Sequence, residues 1–299
     1  MILVSKKNDI WSINRKDKEM KTLYVTDLDG TLLNTHDFIN PYSLEIINSL
    51  VEQGMLFTYA TARSLVSASS VTKGLSVKIP VIAYNGAFIF DAETGEIIAS
   101  EFFTKEETDR VTEVLKNYDI SPLVYSFVQN VEKVSWVTSS ENDGIRRYLE
   151  LRKGDKRLRP LDTGSSLYDG DMFYYTCIGE KEQLQPVYEI FSDDDRYTCT
   201  LQQELYRPEY WCEIMPKKAT KATAIQKLKK LWDCERVISF GDAINDIPMF
   251  RISDECYAVG NAVDELKKIA TGVIGGNEED GVAKWLREHA KIYDTIRIN

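Results

Sequence analysis

Short apolar runs alternate with amphipathic stretches at both ends of this chain. Leu23-Tyr24-Val25-Thr26, Met55-Leu56-Phe57-Thr58-Tyr59-Ala60 and Pro80-Val81-Ile82-Ala83-Tyr84 read as buried strands. Between the first two, Asn40-Pro41 sits as N-cap and first residue of a helix with Leu44, Ile47, Leu50 and Val51 on one face, and Gly54 ends it. A further helix is expected after Ser64, to about Lys73. This βαβαβ rhythm predicts a parallel sheet with helices on its faces. It returns late in the chain. A helix opens at Lys221 with Ile225, Leu228, Leu231 and Trp232 on one face, and apolar runs follow at Val237–Phe240, Tyr257–Val259 and Val273-Ile274.

The middle of the chain has a different beat. Phe88–Phe90 and Ile97–Ala99 flank Glu93-Thr94-Gly95, a hairpin signal. Further strands are predicted near 123–128, 134–138, 172–178, 197–201 and 210–215, with helices near 105–117, 143–151 and 181–191. Residues 153–171 are polar and show no period, so they read as a long loop. The expected organisation is an α/β core from residues 21–86 and 210–299, with residues 87–209 inserted as an α+β domain. Residues 1–20 are too short and polar for a signal-peptide core and read as a dispensable N-terminal extension.

Polar residues fall at a regular place in this pattern. Asp27, Thr61, Asn85, Asp242, Asn261 and Asn277 each follow an apolar run. In an open α/β sheet the ligand crevice lies beyond the carboxyl ends of the strands, so residues distant in sequence are expected to meet on one edge. Asp27-Leu28-Asp29-Gly30-Thr31 stands first among them. Two aspartates two positions apart on extended backbone start on one side, and such a pair needs a cation between the carboxylates or a shared proton. A hard divalent ion and a general acid are the chemical uses of those two remedies. The same residues taken singly are ordinary turn chemistry.

Composition narrows the chemistry. The 299-residue chain is 43% hydrophobic and 28% charged, ordinary for a globular protein. Its net charge of −10 and lack of a basic block argue against nucleic acid, and no apolar run approaches membrane-spanning length. Five dispersed cysteines without a Cys-x-x-Cys pair suggest neither zinc nor a disulfide framework and fit a reducing cytoplasm. Only two histidines occur, His36 in a polar loop and His289 at helical spacing, which argues against Ser-His-Asp or Cys-His catalysis.

Taken together, the motifs resemble the haloacid dehalogenase superfamily, and within it the Cof-type (subclass IIB) phosphatases. The resemblance spans roughly residues 21–290 and rests on Asp27–Thr31, Thr61-Ala62-Arg63, Thr220-Lys221-Ala222 and Gly241-Asp242-Ala243-Ile244-Asn245-Asp246. Asn85-Gly86-Ala87, Gly260-Asn261-Ala262 and Asp280-Gly281-Val282 support it. Ala62 and Ala222 stand where the family usually has glycine, and Val259 where it usually has methionine.

The resemblance implies a Rossmann-like core with an inserted cap, and a Mg²⁺-dependent hydrolase of small phosphorylated metabolites. By the same token Asp27 would be the nucleophile, Asp29 the general acid and base, and Lys221 the balancing cation. Mg²⁺ would be held by Asp27, the Asp29 backbone carbonyl and Asp242, with Asp246 and Asn245 orienting the metal shell or Lys221. Thr61, Ala62, Arg63, Asn85, Gly86 and Asn245 would bind substrate. Tyr206, Arg207 and Trp211, near the expected return to the core, are read as hinge or packing residues. A phosphomutase of the same fold and a non-catalytic phosphometabolite sensor are the alternative functions, and the oligomeric state is left open.

Overall fold

The computed structural model describes residues 20–203 and 207–292. Of the expected extension, residues 1–19 lie outside this range, as does Tyr206.

The chain enters through β1 (Thr22–Thr26), whose residues are all buried. Helix α1 (Pro41–Glu52) follows, with Pro41 at its first position and Ile47 and Val51 turned inward. Asn40 holds the N-cap position, but its side chain accepts from Asn34 Nδ2 (2.8 Å) instead of capping the helix. After β2 (Leu56–Tyr59) comes α2 (Leu65–Val71), capped by Ser64, whose Oγ accepts the Ser67 N–H (3.2 Å). Strand β3 (Val81–Ala83) meets β2 through a parallel bridge between Ala60 and Ile82. The next two strands, β4 (Phe88–Phe90) and β5 (Ile97–Ser100), pair antiparallel onto β3 in a three-stranded sheet. The hairpin expected to begin the insertion at residue 87 thus belongs with β3. Its turn is closed by Asp91, whose carboxylate accepts the N–H groups of Glu93 and Thr94.

Helix α3 (Lys105–Asn117) opens on a capping box between Thr104 and Glu107. Strands β6 (Leu123–Val128) and β7 (Val131–Val137), helix α4 (Asp143–Glu150), strands β8 (Leu158–Leu161) and β9 (Asp171–Gly179), helix α5 (Lys181–Ser192), and strands β10 (Tyr197–Gln203) and β11 (Tyr210–Pro216) complete the middle section. They form a six-stranded sheet in the order β10-β11-β9-β6-β7-β8. Strand β11 is paired along its length with β10 and over residues 210–214 with β9, so the return to the core expected at residue 210 falls after Pro216. The polar stretch 153–171, expected as a loop, contains β8 and is held by Arg157. That guanidinium pairs with Asp155 (2.6 Å) and Glu132 (2.7 Å) and donates to the Tyr84 hydroxyl (2.8 Å). A half-buried polar network has no hydrophobic period, which is why the sequence pattern did not reveal it.

Helix α6 (Lys221–Leu231) buries Lys221, Ala224, Ile225 and Leu228, an i, i+3, i+4, i+7 face. Leu231, expected on that face, is exposed. Strand β12 (Arg236–Gly241), helix α7 (Ile247–Ile252), strand β13 (Glu255–Ala258), helix α8 (Asp264–Ile269), strand β14 (Gly272–Val273) and helix α9 (Gly281–His289) restore the βα rhythm. The main sheet runs β14-β13-β12-β1-β2, every neighbouring pair parallel. This is the α/β architecture with an inserted α+β section that the rhythm predicted. Trp285 of α9 packs on Tyr257 (4.5 Å between ring centres), and His289 stacks on Trp285 at the helix end. Among the described residues, no helix is long and apolar enough to cross a membrane.

One turn controls how the two sections meet. Tyr84 and Asn85 are left-handed, with φ of 51° and 53°, and Gly86 follows at 102°. A Cβ on Gly86 would overlap the Thr220 carbonyl and come within 2.8 Å of the Lys221 nitrogen. Gly86→Ala is therefore predicted to cost about 3 kcal/mol or more of stability. Gly154→Ala has a similar positive φ but open space around it, and should cost only about 1 kcal/mol. Denaturant unfolding of the two variants checks this; equal losses would contradict it.

Candidate active site

The carboxyl ends of β1, β2, β3 and β12 converge as the sequence suggested. Just past β1 the chain makes a wide turn, closed by the Leu33 N–H on the Leu28 carbonyl (2.8 Å). Leu28, between the two aspartates, has helical backbone, which breaks the extended run, so the Asp27 and Asp29 side chains part company; Gly30 then turns the chain with φ of 71°. A side chain at Gly30 would run into the Asp242 carboxylate. Glycine is what lets the two loops touch.

Asp27 turns inward. Its Oδ1 accepts from Lys221 Nζ at 2.6 Å, and the same ammonium bonds Asp246 Oδ1 at 2.7 Å. Lys221 is only 2% exposed. It is placed by the start of α6, where the Thr220 hydroxyl oxygen caps the helix by accepting the Thr223 N–H (3.1 Å). Asp246 is held from its other side: Oδ2 accepts the backbone N–H groups of Asp242 (3.0 Å) and Ala243 (3.1 Å). Both Asp246 oxygens are thus engaged. Asp242 is half-buried and accepts the Thr31 hydroxyl at 2.8 Å. Carboxylate oxygens of Asp27, Asp242 and Asp246 all lie within 4.8 Å of one another.

Asp29 stands outside this cluster, its carboxylate gripped by the Arg63 guanidinium through Nε (3.0 and 2.9 Å) and a close Nη2 contact. Arg63 also reaches Asp37 (2.9 Å), a partner the sequence did not suggest. Thr61 is buried, with its Oγ1 accepting the Arg63 N–H (3.1 Å) and its carbonyl accepting the Asn85 N–H (2.9 Å). The hydroxyl proton of Thr61 is therefore not spent on that bond. Ala62 is exposed. Asn245 donates to Asn85 Oδ1 (3.4 Å), while Gly86 packs against the Thr220–Lys221 backbone. Asn261 and Asn277 brace the first loop: Asn261 donates to the Gly30 carbonyl (2.7 Å) and Asn277 to that of Leu33 (3.0 Å).

The electrostatics follow from burial. Desolvation raises the Asp27 pKa well above the ordinary aspartate value; Lys221 pulls it down, and Asp246 and Asp242 push it up again. Asp242 is raised to about 6, first by desolvation, against the Thr31 hydrogen bond. Burial would lower the Lys221 pKa, but Asp246 and Asp27 outweigh it and keep the ammonium charged. With all three carboxylates ionised, one ammonium leaves two negative charges uncompensated, so the cluster needs either protons or a further cation. A set of oxygen donors only, all from carboxylates, fits a hard divalent cation such as Mg²⁺ and suits soft metals poorly.

A parallel α/β sheet with carboxylates and a buried lysine at its carboxyl edge is an arrangement suited to phosphoryl chemistry. Comparison with known proteins makes the family specific. The family model of haloacid dehalogenase-like hydrolases matches residues 24–286, and the chain belongs to that family. It is 25% identical over 280 residues to the 5-amino-6-(5-phospho-D-ribitylamino)uracil phosphatase YwtE of Bacillus subtilis (strain 168), across 87% of this chain and 95% of that protein. A crystal structure from Thermotoga maritima superposes with a TM-score of 0.70 at 25% identity, over 91% of this chain and 98% of that one. A subclass IIB sugar phosphatase superposes with a TM-score of 0.68 at 21% identity, over 90% and 98%. The chain is a Cof-type haloacid dehalogenase-like hydrolase by family and a phosphatase by enzyme class, and it shares its fold with the subclass IIB sugar phosphatase.

The acidic cluster makes a prediction about pH and metal. Asp27 and Asp242 have folded-state pKa values above the ordinary one. Their contribution to stability is therefore present at low pH and is lost as pH rises, for Asp242 through about 6. A divalent cation takes the proton's place above that point. Added Mg²⁺ should raise the melting temperature at about pH 7.5 and do so much less at about pH 5. In Asp242→Asn protein the increment should largely vanish. Thermal unfolding with and without Mg²⁺ tests this, and the same increment at both pH values would count against the site.

Proposed function

We propose that this chain is a Mg²⁺-dependent phosphomonoester hydrolase of small phosphorylated metabolites, sugar phosphates or phosphorylated cofactors, acting through an aspartyl-phosphate on Asp27. The observation that carries the reading is the buried Lys221 ammonium fixed between Asp27 and Asp246, with Asp242 alongside. A carboxylate nucleophile, a rigid positive charge and a deficit of positive charge are thereby gathered at one strand edge. The activity named for the B. subtilis relative, on a phosphorylated ribityl compound, supports a small phosphate ester as substrate.

In this reading an Asp27 oxygen attacks phosphorus while the bond to the leaving alcohol oxygen breaks, and Asp29 gives that oxygen its proton. Asp29 then takes a proton from the water that attacks the aspartyl-phosphate, which frees inorganic phosphate and restores Asp27. Lys221 balances the charge of the nucleophile, while Thr61, Ala62, Arg63, Asn85, Gly86 and Asn245 surround the phosphoryl group. Arg63 has a second part to play. It holds both Asp29 oxygens, and an incoming phosphoryl group offers the guanidinium a competing bidentate anion, which releases Asp29 for proton transfer. Asp27, Asp242 and the Asp29 backbone carbonyl would hold Mg²⁺, with Asp246 fixing the Asp242 loop. When bound, the ion offsets repulsion between the anionic nucleophile and the anionic ester. The inserted six-stranded section serves as a cap that excludes water and selects the leaving group. The five free cysteines suit a cytoplasmic setting.

Phosphate release from a panel of metabolite monophosphates, with Mg²⁺ and with a chelator, tests the proposal. Wild-type protein should release phosphate only with the metal, and Asp27→Asn should lower kcat by about a thousandfold or more. An Asp27→Asn enzyme working at the wild-type rate would sink the nucleophile assignment.

A further inference from the structure

The left-handed turn at Tyr84–Gly86 gathers three parts of the candidate active site. The Tyr84 N–H donates to the Arg63 carbonyl (3.0 Å), and the Asn85 N–H to that of Thr61 (2.9 Å). Gly86 lies against the Thr220–Lys221 backbone, and the Asn85 side chain accepts from Asn245 (3.4 Å). Yet the turn begins in a conformation that tyrosine rarely adopts. A bulky residue at φ of 51° is strained, and such a residue persists only where its surroundings hold it there.

What holds Tyr84 comes from the insertion. The residue is buried, and its ring meets those of Phe173 and Tyr125 edge-on. Its hydroxyl donates to the Glu132 carboxylate on β7 and accepts from Arg157 Nη1 (2.8 Å), just before β8. Arg157 closes the triangle on Glu132 (2.7 Å), while Asp155 grips the guanidinium through Nε and Nη2. Donor and acceptor of the phenol are thus both engaged. Burial first, and then Glu132, hold the Tyr84 pKa well above the ordinary tyrosine value, so the hydroxyl keeps the proton it donates. Ring packing alone leaves an aromatic side chain free to slide; two directional bonds at its tip remove that freedom.

We infer that Glu132 and Arg157 are positioning residues for the reaction, acting through the Tyr84 hydroxyl to hold the turn that places Asn85 and the backbone beside Lys221. The inference rests on the phosphomonoesterase reading above. Both residues sit on the insertion and reach the core through one tyrosine. Without the hydroxyl the ring stays buried, but nothing directional opposes the strained φ, and the turn relaxes away from the Thr61 and Arg63 carbonyls. A small displacement of groups around the phosphoryl centre weakens the transition state more than the bound ester. The loss therefore falls on kcat and not on KM.

The test measures kcat and KM with Mg²⁺ for the most rapidly hydrolysed ester of the metabolite panel. The variants are Tyr84→Phe, which keeps the ring, Glu132→Gln, which keeps the side-chain shape, and the two combined. Each single variant should lose about tenfold in kcat with KM within about twofold of wild type. The double variant should lose no more than the worse single one, because both changes cut the same connection. Asp169→Asn breaks the Arg159–Asp169 pair (2.9 Å) on the insertion without touching Tyr84, and so controls for general loosening. Its kcat should stay within about twofold of wild type. Thermal melting shows which variants are folded, and Glu132→Gln decides the matter if Tyr84→Phe does not fold. The inference is overturned, with the phosphatase reading intact, by folded variants within about twofold of wild type in kcat, by a raised KM at unchanged kcat, by losses that multiply in the double variant, or by an equal loss in Asp169→Asn. Failure of the wild type to hydrolyse any ester of the panel overturns both.

Discussion

A lysine with almost no exposure, held between two aspartates, is the constraint on which the rest of the structure turns. Burying an ammonium is costly unless hydrogen-bonded carboxylates surround it, and burying carboxylates is costly without a cation. Lys221, Asp27 and Asp246 meet both conditions only together. They come from the start of α6, the end of β1 and the loop after β12. Each is fixed by backbone geometry at its own element: the Thr220 cap, the Asp27 N–H on the Phe240 carbonyl (2.9 Å), and the two N–H groups on Asp246. The site is therefore a product of where the strands end.

The same constraint explains the placement of the insertion. It leaves the core after β5 and returns at α6, whose first residues are Lys221 and its neighbours. The left-handed turn at Tyr84–Gly86 packs directly on that helix start, and the Tyr84 side chain runs into the aromatic cluster of the insertion, 4.9 Å from Phe173 between ring centres. Any shift of the six-stranded sheet is felt at Asn85 and at the backbone beside Lys221. That geometry joins the inserted section to the backbone beside Lys221.

Much of this was legible in the sequence because parallel strands are short apolar runs, and the polar residue after each one is where ligands gather. Asp27, Thr61, Asn85 and Asp242 were placed on one edge by that rule, and Lys221 by its motif. Other features depend on long-range pairing that no local pattern carries. Phe88–Phe90 looked like the start of the insertion because its hairpin signal is local, whereas its partner β3 is set by the turn at Gly86. Tyr210–Pro216 looked like a core strand because an apolar run does not name its neighbour. The divergence of Asp27 and Asp29 came from the helical backbone at Leu28 between them, which overrode the expectation of extended backbone. Asp37 gives no signal in one dimension, since it matters through Arg63, a partner distant in sequence.

The central claim is that Lys221 and the aspartates around it are one energetic unit. A double-mutant cycle in folding stability measures that directly, using Lys221→Met, Asp246→Asn and the double variant, each unfolded by denaturant at neutral pH without divalent metal. If the claim holds, Lys221→Met alone is destabilised by about 3 kcal/mol or more, because it strands buried carboxylates. The double variant then recovers much of that loss, with a coupling energy of about 2 kcal/mol or more. Losses that simply add, with coupling near zero, would show that the lysine and its aspartates are neighbours and not a unit.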